Sequence, residues 1–262
     1  MFEWFINQSE LVKAILASCF TFGLTSLGAS VVFLFKKIKD SILDSMLGLS
    51  AGIMIAASFW SLISPALSLV EHLNIIGLLI VCFGLIFGGL FLIIGDKIYN
   101  SYSKEKKSKR IFMLVLSITL HNIPEGLAIG IAFGSLKYCI GSTLASAVAL
   151  AIGIGIQNFP EGSAVSLPLR RDGYSRLKSF IIGSLTGIVE PLAAIIGVIM
   201  ITSMKKILPF SLSFAAGTMI YVVVNELIPE SHKNNNSNLV SMSFLIGFII
   251  MMFLDVFLGW VV

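Results

Sequence analysis

Apolar residues run through this chain in stretches too long for the core of a soluble domain. Reading from one polar break to the next gives eight, near 11–35, 41–70, 74–96, 111–134, 139–167, 178–203, 207–229 and 239–261. Roughly 20 mostly apolar residues cross a bilayer as a helix, and these stretches are too long for the short alternating strands of a membrane barrel. With 56% hydrophobic and 12% charged residues over 262, almost nothing is left for a soluble domain. The expected fold is therefore all-α, a polytopic membrane protein of eight transmembrane helices. Residues 1–262 are expected to form a single transmembrane domain.

Positive charge sets the expected orientation, because short loops rich in Lys and Arg stay cytoplasmic. Alternate loops carry Lys36, Lys37 and Lys39; Lys97, Lys104, Lys106, Lys107, Lys109 and Arg110; Arg170, Arg171, Arg176 and Lys178; and Lys233. Only Lys13, Lys137, Lys205 and Lys206 fall on the other side. That sorting puts both termini outside the cytoplasm, in a multi-pass protein of a bacterial plasma membrane. Glu3 and Glu10, with no basic segment before the first stretch, argue against a cleaved signal peptide. The net charge of +4 reports topology, so the partner implied is the lipid bilayer and not nucleic acid. The basic run Ser101–Arg110 reads as a topogenic loop without His or Cys. Cys19, Cys82 and Cys139 lie far apart and read as small packing residues, with no disulfide framework. Trp4 and Trp260 read as interface anchors.

Two hexapeptides break the apolar pattern: His121-Asn122-Ile123-Pro124-Glu125-Gly126 in span four and Gln157-Asn158-Phe159-Pro160-Glu161-Gly162 in span five. On a helix His121 and Glu125 share a face with their Cβ atoms about 5–6 Å apart, and Gln157 and Glu161 repeat that geometry. Asn122 and Asn158 point roughly 100° away and suit a neighbouring site. Pro124 and Pro160 have no N–H, which frees the carbonyls of Leu120 and Ile156. Irregular backbone at membrane depth is tolerated where it lines a cavity or faces a ligand. Glu190-Pro191 in span six repeats the carboxylate-plus-proline device and frees the carbonyl of Gly187.

A weaker repeat indicates the architecture. A shift of 165 residues sets Ala51-Gly52-Ile53-Met54-Ile55 against Ala216-Gly217-Thr218-Met219-Ile220, and Thr21, Leu27 and Ala29 against Thr186, Leu192 and Ala194. Span one then matches span six, and span two matches span seven. Five crossings separate each pair, so the copies run in opposite directions. The expected plan is an inverted 3+2+3 repeat, spans 1–3 and 6–8 around the central pair 4–5, as in many secondary transporters.

An ionised side chain near a helix centre costs about 2.5–3.5 kcal/mol on the insertion scale. Glu125, Glu161 and Glu190 have no basic residue at similar depth, whereas a divalent cation neutralises them directly. Imidazole with carboxylate and amide oxygens suits Zn²⁺, Fe²⁺, Mn²⁺ or Cd²⁺ and gives no thiolate preference for Cu(I). The ion is read as cargo, and no separate cofactor is expected. A membrane metallohydrolase is the rival from another class, but it needs an open metal position, usually on several His, and a general base. Only one His lies within a span and no HExxH occurs, so no enzyme is expected. A passive metal channel or a metal sensor remains the alternative to a carrier.

The two hexapeptides resemble the signature of the ZIP (Zrt/Irt-like protein) metal transporters, in particular the GufA-like bacterial branch. The resemblance extends over eight spans, the span-six Glu190 and the run Asn225-Glu226-Leu227-Ile228-Pro229-Glu230. It implies a binuclear centre with His121, Glu125, Gln157 and Glu161 at the first metal and Asn122, Asn158 and Glu190 at the second, Glu125 and Glu161 bridging. It implies import of divalent metal, chiefly zinc, into the cytoplasm, with one helix bundle sliding against another. Many relatives carry His where Gln157 stands, a difference expected to broaden selectivity, and some carry Asp where Asn158 stands, so the second site here is one charge weaker. The His-rich cytoplasmic loop of many relatives is absent.

Glu226, Glu230 and His232, towards the cytoplasmic end of span seven, are candidate pathway residues, and Ser64 with Pro65 occupies a comparable repeat position in span two. His72 and Glu71 are read as surface groups at the outer mouth. Asp255 lies inside span eight with no partner legible in the sequence. Gly48/Gly52, Gly84/Gly88 and Gly183/Gly187 are small-xxx-small pairs read as packing helices within a protomer. A homodimer stays open.

Overall fold

The computed structural model describes residues 2–35, 39–102, 106–136, 143–199, 201–234 and 236–261. Among the described residues eight helical segments are long and apolar enough to cross a membrane: span 1 (Glu10–Leu34), span 2 (Asp40–Leu73), span 3 (Ile75–Ile98), span 4 (Leu114–Ser135), span 5 (Leu144–Arg171), span 6 (Arg176–Ile199), span 7 (Ile207–Ser231) and span 8 (Ser237–Phe257). The chain is an all-α polytopic membrane protein. Boundaries follow caps that hydropathy alone does not weigh. Thr143 and Ser146 cap each other's backbone N–H at the start of span 5, so that helix begins at Leu144. The residues from 139 to 142, where hydropathy starts this span, lie outside the described residues. Ser9 and Ser175 cap spans 1 and 6 in the same way, each accepting from a backbone N–H three residues on.

Spans 2 and 7 share an irregularity that reinforces their sequence match. Each widens into a π-helical turn, Ser58–Ile63 in one and Val223–Leu227 in the other, and each has a proline, Pro65 or Pro229, just beyond. The turns start 165 residues apart. Such turns are rare and concentrate at functional sites.

Packing obeys the same inverted relation. The four most extensive helix pairings are span 2 with 8, span 1 with 5, span 3 with 7 and span 4 with 6. A Cβ on Gly52 would fall 2.0 Å from the Phe244 carbonyl oxygen and one on Gly247 would fall 2.2 Å from that of Leu49; Gly217 and Gly88 meet the carbonyls of Leu85 and Phe214 in the same manner. The step from Gly52 to Gly217 equals that from Leu49 to Phe214, and the step from Gly88 to Gly247 equals that from Leu85 to Phe244. Two copies of one crossing are thus built from residues far apart in the chain. The small-xxx-small pairs pack helices within the protomer, as expected.

Spans 1, 4, 5 and 6 group together, as do spans 2, 3, 7 and 8. Spans 3 and 8 are the least buried, and their exposed Ile, Leu and Phe side chains, such as Ile86, Phe87, Ile249 and Phe253, suit contact with lipid. Cys19 and Cys82 are exposed rather than packed, which corrects the sequence reading, and Cys139 lies outside the described residues. Trp4 is exposed, while the Trp260 side chain is outside the described set.

Two carboxylates, Asp44 buried and Asp255 partly so, link spans 2 and 8. Ser61 donates to Asp255 at 2.9 Å, supplying the partner that the sequence did not disclose. Asp44, fully buried in span 2, accepts from Asn234 at 3.0 Å and Asn236 at 2.9 Å, one on each oxygen. Those asparagines sit at the entry to span 8. Asp44→Ala is expected to lower stability by about 1–3 kcal/mol, because two hydrogen bonds to a buried carboxylate are lost. The thermal midpoint of purified protein in detergent checks this, and an unchanged midpoint would show the clamp to be idle.

Candidate metal centre

The hexapeptide residues converge at the heart of the first bundle. Spans 4 and 5 continue as helices through Pro124 and Pro160. Gly126 and Gly162 let neighbouring helices close in: a Cβ would lie 2.4 Å from the Glu190 carbonyl oxygen in the first case and 2.0 Å from that of Thr25 in the second. Thr25 and Glu190 are the two residues that the repeat equates. The inverted symmetry therefore runs through the centre itself, with a carboxylate on one side and a hydroxyl on the other.

Asn122, Gln157, Asn158, Glu161 and Glu190 are completely buried and Glu125 is 1% exposed. Glu125 is within electrostatic reach of both Glu161 and Glu190. The hydrogen bonds have one consistent sense. Asn122 donates its Nδ2 to the Thr186 carbonyl at 3.0 Å, Asn158 donates its Nδ2 to Glu190 Oε1 at 2.9 Å, and Gln157 donates its Nε2 to Glu125 Oε1. The oxygens of the same three amides, together with Glu125 Oε2, are buried and accept no hydrogen bond. Buried polar atoms are ordinarily paired. Each amide commits its donor end to the protein and presents its acceptor end, which is the arrangement a cation requires.

Glu190 differs. Its Oε2 accepts from the Thr21 hydroxyl and its Oε1 accepts from Asn158. Span 6 tightens to a 3₁₀ turn at Thr186–Ile188 just before Glu190, so the carbonyl taken up by a side chain is that of Thr186.

Among the described side chains no three from His, Cys, Asp and Glu converge as a ligand group; what converges is carboxylates interleaved with amides. His121 lies on the span-4 helix one turn before Glu125, and its side chain is outside the described set. Thr21 and Thr25 entered the sequence reading only as a repeat match, if at all. The available signal was their i, i+4 spacing in an apolar span, the spacing of His121 with Glu125 and of Gln157 with Glu161.

The remaining candidates lie apart from this cluster. Glu230 is 4% exposed and ion-paired to Arg171, at the end of span 5, and to Lys233 at 2.6 Å. It ties the basic ends of the two bundles together and is already neutralised. His232 is exposed, with Nδ1 2.9 Å from the Ile228 carbonyl oxygen at the end of span 7. Glu226 is partly buried within the π-helical turn of span 7, and Ser64 is partly buried just past that of span 2. His72 and Glu71 are exposed, as the sequence reading held.

Residues 103–255 match the sequence profile of a family described as ZIP Zinc transporter. Over 97% of its length the chain is 34% identical to zinc transporter ZIP11 of Homo sapiens, covering 99% of that protein. It is 36% identical to zinc transporter ZIPB of Bordetella bronchiseptica, with 97% of this chain and 84% of that one covered. Zinc transporter GufA of Myxococcus xanthus is 34% identical over 94% of this chain and 98% of its own.

Proposed function

Because the chain belongs to the ZIP zinc transporter family, we propose that it carries divalent transition-metal ions, zinc foremost and Cd²⁺, Fe²⁺ or Mn²⁺ also, into the cytoplasm through the buried centre of spans 4, 5 and 6. The family is one of transporters and not of enzymes, and metal transport across a membrane is its common property. The 262 residues act as one transporter unit with both termini outside, in accord with the sorting of basic loops. The observation that carries the reading is the set of four buried acceptor oxygens without a hydrogen-bond donor, on Asn122, Glu125, Gln157 and Asn158. Oxygens so placed are repelled by one another and by the neighbouring carboxylates unless a cation lies among them.

The first ion is held by His121, Glu125, Gln157 and Glu161, and the second by Asn122, Asn158 and Glu190, with Glu125 and Glu161 shared. Replacement of an imidazole by the Gln157 amide makes the first site harder, which widens acceptance towards Mn²⁺ and Fe²⁺. Alternating access comes from motion of the bundle of spans 1, 4, 5 and 6 against that of spans 2, 3, 7 and 8. The densest helix pairings all lie within a bundle, which suits two bodies that move as units. The Arg171–Glu230 pair joins them on the basic face and opens when they part.

Uptake of Zn²⁺, Cd²⁺, Fe²⁺ and Mn²⁺ into proteoliposomes holding the purified protein tests this. Saturable uptake is expected, with His121→Ala changing the order of the four metals. Flux that rises linearly with concentration would identify a channel, and binding without flux would overturn transport.

A further inference from the structure

The motifs place no residue on span 1, yet span 1 reaches the centre through Thr21, which is fully buried. We propose that Thr21 is a positioning residue of this site: its hydroxyl anchors Glu190, and through Glu190 it sets which end of the Asn158 amide faces the ion. The inference rests on the reading of the buried cluster as a metal centre.

An asparagine amide offers two ends of nearly equal size, so sterics do not choose between them. In a fully buried site the choice falls to the hydrogen-bond partner. Asn158 gives its Nδ2 to Glu190 Oε1, and Oδ1 is left as an unpaired acceptor. Glu190 can hold that donor only if its own carboxylate is fixed. Thr21 Oγ1, which also lies 2.9 Å from the Ser18 carbonyl oxygen, occupies the other carboxylate oxygen.

The inverted repeat supplies an independent argument. The counterpart of Thr21 is Thr186, and the Thr186 carbonyl accepts the Nδ2 of Asn122. Asn122 and Asn158 are themselves counterparts. Both asparagines therefore have their donor ends held at the threonine step of the repeat. One is held by the backbone carbonyl directly, the other by a hydroxyl acting through a carboxylate. Partners that orient a metal's ligands are worth roughly 10–100-fold in affinity or activity.

Thr21→Val keeps the shape and removes the donor. Glu190 then turns to seek another partner, and the Asn158 amide loses its fixed sense. The test is Cd²⁺ uptake by proteoliposomes containing parent, T21V or T21S protein, normalised to folded protein by gel filtration. T21V is expected to raise KM by about tenfold or more with Vmax within about twofold, and T21S is expected to restore the parent KM. An unchanged KM in T21V, a change in Vmax alone, or a T21S protein as impaired as T21V would overturn the positioning role, the last by showing that shape and not the hydroxyl matters. Should T21V not fold, Thr21→Cys, of similar size and a weaker donor, is expected to give a KM between the parent and tenfold, and a parent-like KM would overturn the role. A parent protein without saturable uptake would instead overturn the transport reading, and this inference with it.

Discussion

Glu125→Gln is expected to abolish saturable metal uptake, with kcat/KM falling by at least about 100-fold, beyond what loss of an outer partner costs. The substitution preserves shape almost atom for atom. It removes the charge, and it alters what the side chain shows the ion. Glu125 Oε1 accepts from Gln157, while Oε2 is the buried, unpaired oxygen. If the new amide uses its oxygen to satisfy Gln157, its NH₂ points into the site and repels a cation. If it turns round, two NH₂ groups face each other and the Gln157 contact is lost. Neither arrangement restores the set. Stability should move the other way, since a buried carboxylate in a crowd of carboxylates is replaced by a neutral group. The thermal midpoint of metal-free Glu125→Gln protein is therefore expected to equal or exceed that of the parent. Uptake within about tenfold of the parent would remove Glu125 from the pathway.

Gly28→Ala is expected to have the largest effect on folding of any single methyl added to the first bundle. A Cβ there would stand 1.8 Å from the Phe159 carbonyl oxygen, where spans 1 and 5 cross. Overpacking in a core ordinarily costs about 1–3 kcal/mol because side chains shift. Here the obstacle is backbone, so no rotamer change relieves it and the helices must separate. Phe159 lies between Asn158 and Pro160, and such a separation also drags Asn158 away from Glu190 and span 1 away from the centre. Loss of folded protein or of uptake is expected together. Gly23→Ala is the control on the same helix, because nothing lies within 4 Å of its Cβ position. It is expected to be neutral or to stabilise by up to about 1 kcal/mol, the helix preference of Ala over Gly. Equal thermal midpoints for the two variants would refute the close crossing.

The eight spans were legible because membrane crossing imposes a length and a hydropathy that each segment satisfies by itself. The hexapeptides were legible because i, i+4 spacing on a helix already places His121 with Glu125 and Gln157 with Glu161 on shared faces. The inverted repeat was legible from a few identities, and the matched π-helical turns and mirrored glycine crossings reinforce it. Asp255 found its partner only in Ser61, 194 residues away. Glu230 reads in sequence as a candidate pathway residue, and its ion pair with Arg171, 59 residues away, was not legible there. That the Thr186 carbonyl accepts the Asn122 amide was not legible, because the donor comes from a helix 64 residues away.

The sequence by itself determined how many times the chain crosses the membrane and which polar residues are carried to mid-depth, since these depend on periodicity and composition within single helices. Tertiary structure alone decided which end of each amide is free, that Glu190 is held by span 1, and how the spans divide into two bundles. The physical reason is that a hydrogen bond inside a buried bundle is settled by whichever group a neighbouring helix brings within reach. For Glu190 that group is Thr21, 169 residues away, and no local pattern in either segment encodes their meeting.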